Sequence, residues 1–393
     1  MQATEIPLSL YVHIPWCVKK CPYCDFNSHE KRSALPEVRY VDALIADLKR
    51  QADGVAGRGI GSVYIGGGTP SLFSARSIER LLDAVARETG LAKDAEITVE
   101  ANPGTFDQQN FAGFRSAGVN RISIGVQSFD DALLRALGRI HDANTARQAV
   151  LAAKQAHFEN INIDVMYALP GQTLKQARRD VEQAIALTPS HISYYQLTLE
   201  PHTHFYRHPP TLPDGELGWA IQQQGTNLLM LHGWQQYEIS AYAKDQFRCI
   251  HNMNYWRFGD YLGIGAGAHQ KISSDKTGVW RSEKPRNPLQ YMEQVLNDPL
   301  AGPACRPLSD DELVFEFLLN ALRMKSGFTW QLFECNTGLS FGQLATKLQG
   351  LIQEGLIVRQ DGGLRCSETG YRYLDGLLLR LLPEAPATPL GTQ

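Results

Sequence analysis

Three cysteines, Cys17, Cys21 and Cys24, fall within eight residues, in the spacing Cys-x3-Cys-x2-Cys. Thiolates so close in sequence cannot all project from one regular element, so the chain must wrap a loop around a small object. Soft thiolate ligands suit zinc, Cu(I) or iron–sulfur. Zinc commonly takes two separated Cys pairs, and no second pair follows here; His13 or His29 could complete a Cys3His site. Three thiolates would leave one iron of a [4Fe–4S] cube without a protein ligand, an open position at which a small molecule can chelate and react. Tyr23 and Phe26, interleaved with the cysteines, would screen such a group from water. The other four cysteines, Cys249, Cys305, Cys335 and Cys366, stand singly. An odd count with one tight cluster argues for metal or catalytic chemistry over a disulfide frame. The opening MQATEIPLSLYVHIPWC has no basic or apolar leader region, so a cytoplasmic protein is expected.

Residues this unusual need elements to aim them. Strand-like runs recur at 8–14, 62–66, 96–101, 121–127, 160–169 and 191–200. Between them lie segments with apolar spacing near 3.6, such as VRYVDALIADLKRQA with Val38, Val41, Leu44, Ile45 and Leu48 on one face. Strands alternating with helices imply βαβ units and a parallel sheet. Each early strand ends in unusual chemistry: the cysteines, then Gly66-Gly67-Gly68-Thr69-Pro70, then Glu100 with Asn102-Pro103, then Gln127, then Asp164 with Leu169-Pro170-Gly171. Only the C-terminal rim of a (β/α) barrel brings such positions together. Glycine and proline as mere loop punctuation explain one or two of these coincidences, not five in order.

Beyond residue 233 the pattern changes. WQQYEISAYA reads as one more strand, and RCIHNMNYWRFGDYLGIGAGAHQ as a binding loop. A proline-marked linker follows (Pro285, Pro288, Pro299, Pro303, Pro307), then a compact tail. In that tail Ser309 with Glu312 signals a helix N-terminus, and the order helix, strand, Asp361-Gly362-Gly363 turn, strand, helix is winged-helix-like. The expected organisation is 1–240 core, 241–307 extension, 308–382 winged-helix-like module and 383–393 flexible tail. Net charge is −3 and the module has no basic recognition helix, so no nucleic-acid partner is expected. No apolar run nears the ~18 residues of a membrane span.

The cysteine spacing followed by the Gly-Gly-Gly-Thr-Pro run resembles the radical S-adenosylmethionine (SAM) superfamily. LYVHIPWCVKKCPYCDF, YIGGGTPS, VEANPG, RISIGVQSF, LGRIHD and NIDVMYALPGQT run in the order of its oxygen-independent coproporphyrinogen III oxidase-like branch, over nearly the whole chain. The resemblance implies a partial (β/α)6 TIM-like barrel, open on one side, with a helical and winged C-terminal module. It implies a [4Fe–4S] cluster on Cys17, Cys21 and Cys24, with SAM on the open iron, where reduction cleaves SAM to methionine and a 5′-deoxyadenosyl radical. Carried over by motif, Tyr11, Gly67 and Glu100 match SAM-binding positions. Tyr23, Phe26, Gly68, Thr69, Gln127, Arg139 and Asp164 match positions lining the same site, or a second SAM site in the oxidase. The glycines would let backbone approach SAM closely. Read alone, Arg139 is equally a surface cation, Gln127 a strand-end cap and Asp164 a charge in a polar strand.

Two departures count against the oxidase: Phe26 stands where its pattern carries a further cysteine, and few residues precede Tyr11. Within the branch the chain is more similar to haem chaperones. These share a His-Asn-x-x-Tyr-Trp element implicated in haem binding, here His251, Asn252, Tyr255 and Trp256. A histidine can ligate haem iron, and flanking aromatics can pack on a macrocycle; alone, His251 would read as a buried, hydrogen-bonded core histidine. The resemblance therefore implies haem as cargo and haem-acceptor respiratory proteins as partners at the inner face of the membrane. It also admits a homodimer and peripheral membrane association. The rival activity is porphyrinogen decarboxylation, followed by another haem-modifying radical SAM reaction.

Overall fold

The computed structural model describes residues 2–55, 57–103, 108–298, 302 and 304–383. Pro299, Pro303 and the tail from 384 onward, named above, lie outside the described residues.

Six parallel strands form the centre: β1 (Leu8–Ile14), β2 (Ile60–Gly67), β3 (Leu91–Ala101), β4 (Arg121–Gln127), β5 (Asn160–Tyr167) and β6 (His191–Gln196). Each pairs with the next in chain order. Helices α1 (Glu37–Ala52), α2 (Ala75–Thr89), α3 (Gln108–Ser116), α4 (Asp131–Ala136), α5 (Ala143–Gln155) and α6 (Leu174–Ala186) fill the crossovers, and α7 (Gly215–Leu231) follows β6. The period-2 alternation of a strand sorts its side chains. In β1 the even positions Leu8, Leu10, Val12 and Ile14 join the apolar core with Tyr40 and Leu44 of α1. The odd positions Ser9, Tyr11 and His13 bond polar partners instead.

The sheet continues on both flanks. Past β6, the expected single strand WQQYEISAYA is an antiparallel hairpin, β7 (Gln235–Gln236) with β8 (Ala241–Ala243). On the other flank the segment read as a binding loop is regular: helix α8 (Ile250–Trp256) leads into β9 (Asp260–Ile264), which runs parallel to β1. Glycines disguised that strand. One reason they are there is visible at Gly263, where a Cβ would stand 2.0 Å from the His269 carbonyl oxygen. β10 (His269–Ser274), β11 (Gly278–Glu283) and β12 (Ala304–Pro307) then add antiparallel, with α9 (Pro288–Asn297) between the last two. The result is one open twelve-stranded sheet in the order β12-β11-β10-β9-β1-β2-β3-β4-β5-β6-β8-β7.

Buried ion pairs pin the flank to the centre. Asp260, at the start of β9, meets Arg58 at 2.8 Å and Lys271 at 2.8 Å. Asp47 of α1 takes Lys284 at 2.6 Å and the Tyr291 hydroxyl at 2.9 Å. Breaking such a pair leaves an uncompensated buried charge.

The C-terminal module packs around Phe317 on α10 (Asp310–Ala321), whose N-terminus carries the expected Ser309–Glu312 capping box. Phe258, Phe328 and Phe333 meet Phe317 edge-on at 5.0–5.8 Å, so the residue just ahead of β9 anchors the module. Beyond α10 come β13 (Phe328–Thr329), α11 (Trp330–Thr337), α12 (Phe341–Gln353), β14 (Ile357–Gln360), β15 (Gly363–Cys366) and two short helices. Helix α11 was not legible in the sequence. The three strands form a small sheet ordered β13-β15-β14, with Gly362 at φ +69° in the turn.

Candidate functional site

The chain after β1 turns through Trp16–Cys17, which forms a two-rung parallel ladder with His29–Glu30. That ladder closes the cysteine loop at its base. Lys20 fastens it from within: its ammonium donates to the Phe26 carbonyl at 3.0 Å and the Ser28 carbonyl at 3.3 Å. The Gly-rich segment after β2 braces the loop from outside, with the Gly68 amide donating to Ile14 and the Thr69 amide to Trp16.

Cys17, Cys21 and Cys24 all face one cavity of about 440 Å³ at the C-terminal ends of the strands. Burial pushes the Cys17 and Cys24 thiols up; hydrogen bonds from Thr69 and Ser28 oppose this at Cys17, and a backbone bond and Ser28 oppose it at Cys24. Among the described residues no three His, Cys, Asp or Glu side chains converge on a single ion. His13 is committed elsewhere, with Nδ1 on the Tyr11 hydroxyl and Nε2 on the Asn27 carbonyl, both at 2.9 Å. Three thiols around one cavity without a common point suit a multi-atom cluster better than a lone zinc.

The rest of the wall comes from successive strand ends: Glu100 from β3, Gln127 from β4, Asp164 from β5. Glu100 accepts from the Tyr64 hydroxyl at 2.8 Å and the Gly67 amide at 3.0 Å. Burial pushes its carboxyl up to about 7, with the Asp164 charge adding to the rise. Asp164 is likewise raised by burial, and accepts from Asn162 at 2.8 Å. Gln127 sits at φ +68°, in the left-handed region a glutamine rarely adopts. The strained backbone turns its side chain inward, where it accepts from the Tyr195 hydroxyl at 2.8 Å.

Arg139 is no surface cation. Its guanidinium reaches the Cys21 sulfur at 3.6 Å, Asn102 Oδ1 at 3.0 Å and the Gly125 carbonyl at 2.7 Å. A fixed cation beside a thiolate offsets its charge. Tyr23, Thr69 and Phe26 also line the cavity, Phe26 at its rim and 56% exposed. Gly67 and Gly68 line it too, and the protein itself also requires glycine there. A Cβ at Gly67, where φ is +113°, would stand 2.5 Å from the His13 ring, and one at Gly68 would stand 2.6 Å from the Trp16 carbonyl oxygen. The missing side chains make room for protein.

Tyr11 is not on this wall; its ring packs against both Tyr64 and His251. Ser123, Gly125, Met166, Ser193 and Tyr195 are on it and were missed. Their signal was present as inward alternation: Asp164 implies Met166, and Ser193 implies Tyr195.

His251 stands apart from the cluster cavity. It is 1% exposed, stacked on Tyr64 at 5.0 Å and edge-on to Tyr255 at 4.9 Å. Nδ1 meets the Ser62 hydroxyl at 3.1 Å, and Nε2 is enclosed without a hydrogen-bond partner among the described residues. Burial pushes its imidazole down to about 3, so the ring is neutral. Tyr255 and Asn252 are half-buried, and Trp256 lies under the Arg323 guanidinium at 4.3 Å.

The model of the radical SAM superfamily matches residues 11–184, and that of the HemN C-terminal domain matches 308–373. The heme chaperone HemW of Haemophilus influenzae is 46% identical, covering 96% of this chain and 98% of its own. The heme chaperone HemW of Escherichia coli is 44% identical, covering 96% and 99%. A mitochondrial radical S-adenosyl methionine domain-containing protein 1 of Mus musculus is 37% identical, covering 96% and 87%. The solved coproporphyrinogen III oxidase of Escherichia coli superposes with a TM-score of 0.80 at 24% identity, covering 96% and 90%, a likeness of fold.

Proposed function

The chain belongs to the HemW family of heme chaperones within the radical SAM superfamily, and from that premise we propose that it binds haem and delivers it to haem-requiring acceptor proteins. The family relation carries this reading: identity near 45% runs the full length of both chains, through barrel, extension and C-terminal module.

Cys17, Cys21 and Cys24 would hold a [4Fe–4S] cluster, and SAM would share the cavity. Bound there, the pair supplies one-electron chemistry. The chain's own residues fit such a pair. Arg139 balances thiolate charge at Cys21. Glu100 and Asp164, both raised by burial, provide acceptors for ammonium and hydroxyl groups. Ionisation of Glu100 becomes favourable when a cation arrives beside it. Thr69 donates to Cys17 and steadies the first thiolate. Haem-acceptor respiratory proteins are the proposed partners and the cytoplasm the proposed location. Among the described residues no helix is long and apolar enough to cross a membrane.

The test is an anaerobic titration of the cluster-reconstituted protein with haem, followed by absorbance, beside an assay for coproporphyrinogen decarboxylation. Saturable haem binding without decarboxylation is expected. Turnover of coproporphyrinogen with no saturable haem binding would replace the chaperone with the oxidase.

A further inference from the structure

A second cavity lies at the other end of the strands. Pro7, the residue before β1, and Gly259, the residue before β9, both line it, so it opens where the parallel strands begin. Its volume is about 830 Å³, nearly twice that of the cluster cavity and inside the range of about 300–1,000 Å³ usual for cofactor pockets. Helix α8 forms one wall and α11 of the C-terminal module another, with the loop after β8 at the rim.

Helix α8 has two faces. His251 and Tyr255 turn toward the aromatic cluster inside the barrel. Ile250, Met253 and Arg257, at helical spacing i, i+3 and i+7, turn toward the cavity. Ile250 is 51% exposed, a large apolar side chain left open to this space, which Leu332 of α11 also lines.

The rim is charged. Lys244, Arg248 and Arg257 line it against two carboxylates, Glu5 and Asp245. Lys244 and Arg248 rest over the rings of Trp234 and Tyr237, at 4.4 and 5.7 Å. Among the described residues none of the three cations is held in a side-chain ion pair. Soft donors complete the wall: the exposed thiol of Cys335 on α11 and the thioether of Met253. Histidine is absent from the lining.

Apolar side chains, free guanidinium groups and a soft sulfur on one wall match a flat apolar ring that carries carboxylates and a thiophilic metal. Resting on the haem-carrier reading, we propose that this cavity is where the cargo sits, with its propionates on Arg248 and Arg257 and the Cys335 sulfur as an axial ligand. Guanidinium groups pair with carboxylates in bidentate fashion, and cysteine thiolate is an established haem ligand type. His251 then acts on the barrel side of α8, packing the helix that presents Ile250, Met253 and Arg257. A site between the barrel and the C-terminal module is also one that a small shift of the module would open, as cargo release requires.

The experiment is an absorbance titration of ferric haem into the intact, cluster-loaded protein. Wild type is compared with Cys335→Ser, Arg248→Glu/Arg257→Glu and His251→Ala. Cys335→Ser is expected to move the Soret band and change the low-spin ferric spectrum. The charge-reversal pair is expected to weaken apparent affinity about ten-fold or more, the equivalent of one charge-assisted hydrogen bond. Both substitutions fall on exposed side chains, so folding is preserved. Saturable wild-type binding that neither variant alters overturns the proposal and leaves the haem-carrier reading standing. So does a spectrum lost in His251→Ala and kept in Cys335→Ser, which places the iron inside the barrel. Absence of saturable binding by wild type overturns both.

Discussion

The two cavities are built in opposite ways from one sheet. The cluster cavity collects one or two residues from the C-terminal end of each successive strand, and its charges are buried, paired and in places strained. The cavity at the other end is assembled from three segments remote in sequence, around Pro7, 235–259 and 329–336; its cations make no side-chain ion pair among the described residues, and Arg248 and Arg257 stand exposed. A rigid, preorganised site holds something permanently. An open site between two packed cores (the barrel core and the one around Phe317) can exchange what it holds.

The largest separation of the two comes from Cys21→Ala. It should abolish cluster reconstitution, read as loss of iron, sulfide and the brown absorbance. It should leave the ferric-haem titration saturable. Loss of both together would mean that the cavities are coupled.

Asp260→Ala strikes the structure that the cavities share. Arg58 and Lys271 would lose their buried counter-charge, and a cost of about 3–5 kcal/mol is expected in denaturant unfolding. Asp260 directly follows Gly259 in the wall of the second cavity and is remote from the cluster cavity, so the haem titration should weaken before iron retention does.

Glu100 gives a smaller effect with a defined sign. Its carboxyl is raised from 4.5 to about 7 in the fold. Over that window the folded state holds a proton that the unfolded state has released, so stability falls as pH rises from 4.5 through 7. In the cluster-free protein Glu100→Gln should remove that slope. The variant should gain on wild type above neutral pH, by about 3 kcal/mol at most, and lose the advantage below pH 4.5. Melting temperatures across pH would check it; a slope unchanged by the substitution would reassign the pH dependence to another carboxyl, such as Asp180, also raised to about 7 by burial.

The smallest effect serves as a control. His157, exposed at φ +60° beyond α5, pays the steric cost of the left-handed region. His157→Gly should stabilise by about 1 kcal/mol and change the readout of neither cavity.

Much of the cluster cavity was legible before folding. A parallel strand ends where its motif begins, so Cys17, Glu100, Gln127 and Asp164 could be brought to one rim from spacing alone. Arg139 could not. It lies after a helix, and only the fold shows that its guanidinium turns back to Cys21, Asn102 and Gly125. Phe26 reaches the cavity at its exposed rim, a position that alternation within an irregular loop does not fix. The second cavity was not legible at all. Cys335 stood as a single cysteine, and α8 with β9 read as a loop because glycines and aromatics hid their periodicity.

By itself, then, the amino-acid order determined the barrel strands, the cysteine loop and the acidic residues at its mouth. These depend on local period and on the shared direction of parallel strands. The tertiary structure alone decided that His251 faces the barrel interior, that Arg139 serves a cysteine more than a hundred residues away, and that Arg248, Arg257 and Cys335 share one space. The physical reason is the same in each case. These placements depend on which face of an element is buried against a distant partner, and burial is settled by packing between segments and not by the residues next in line.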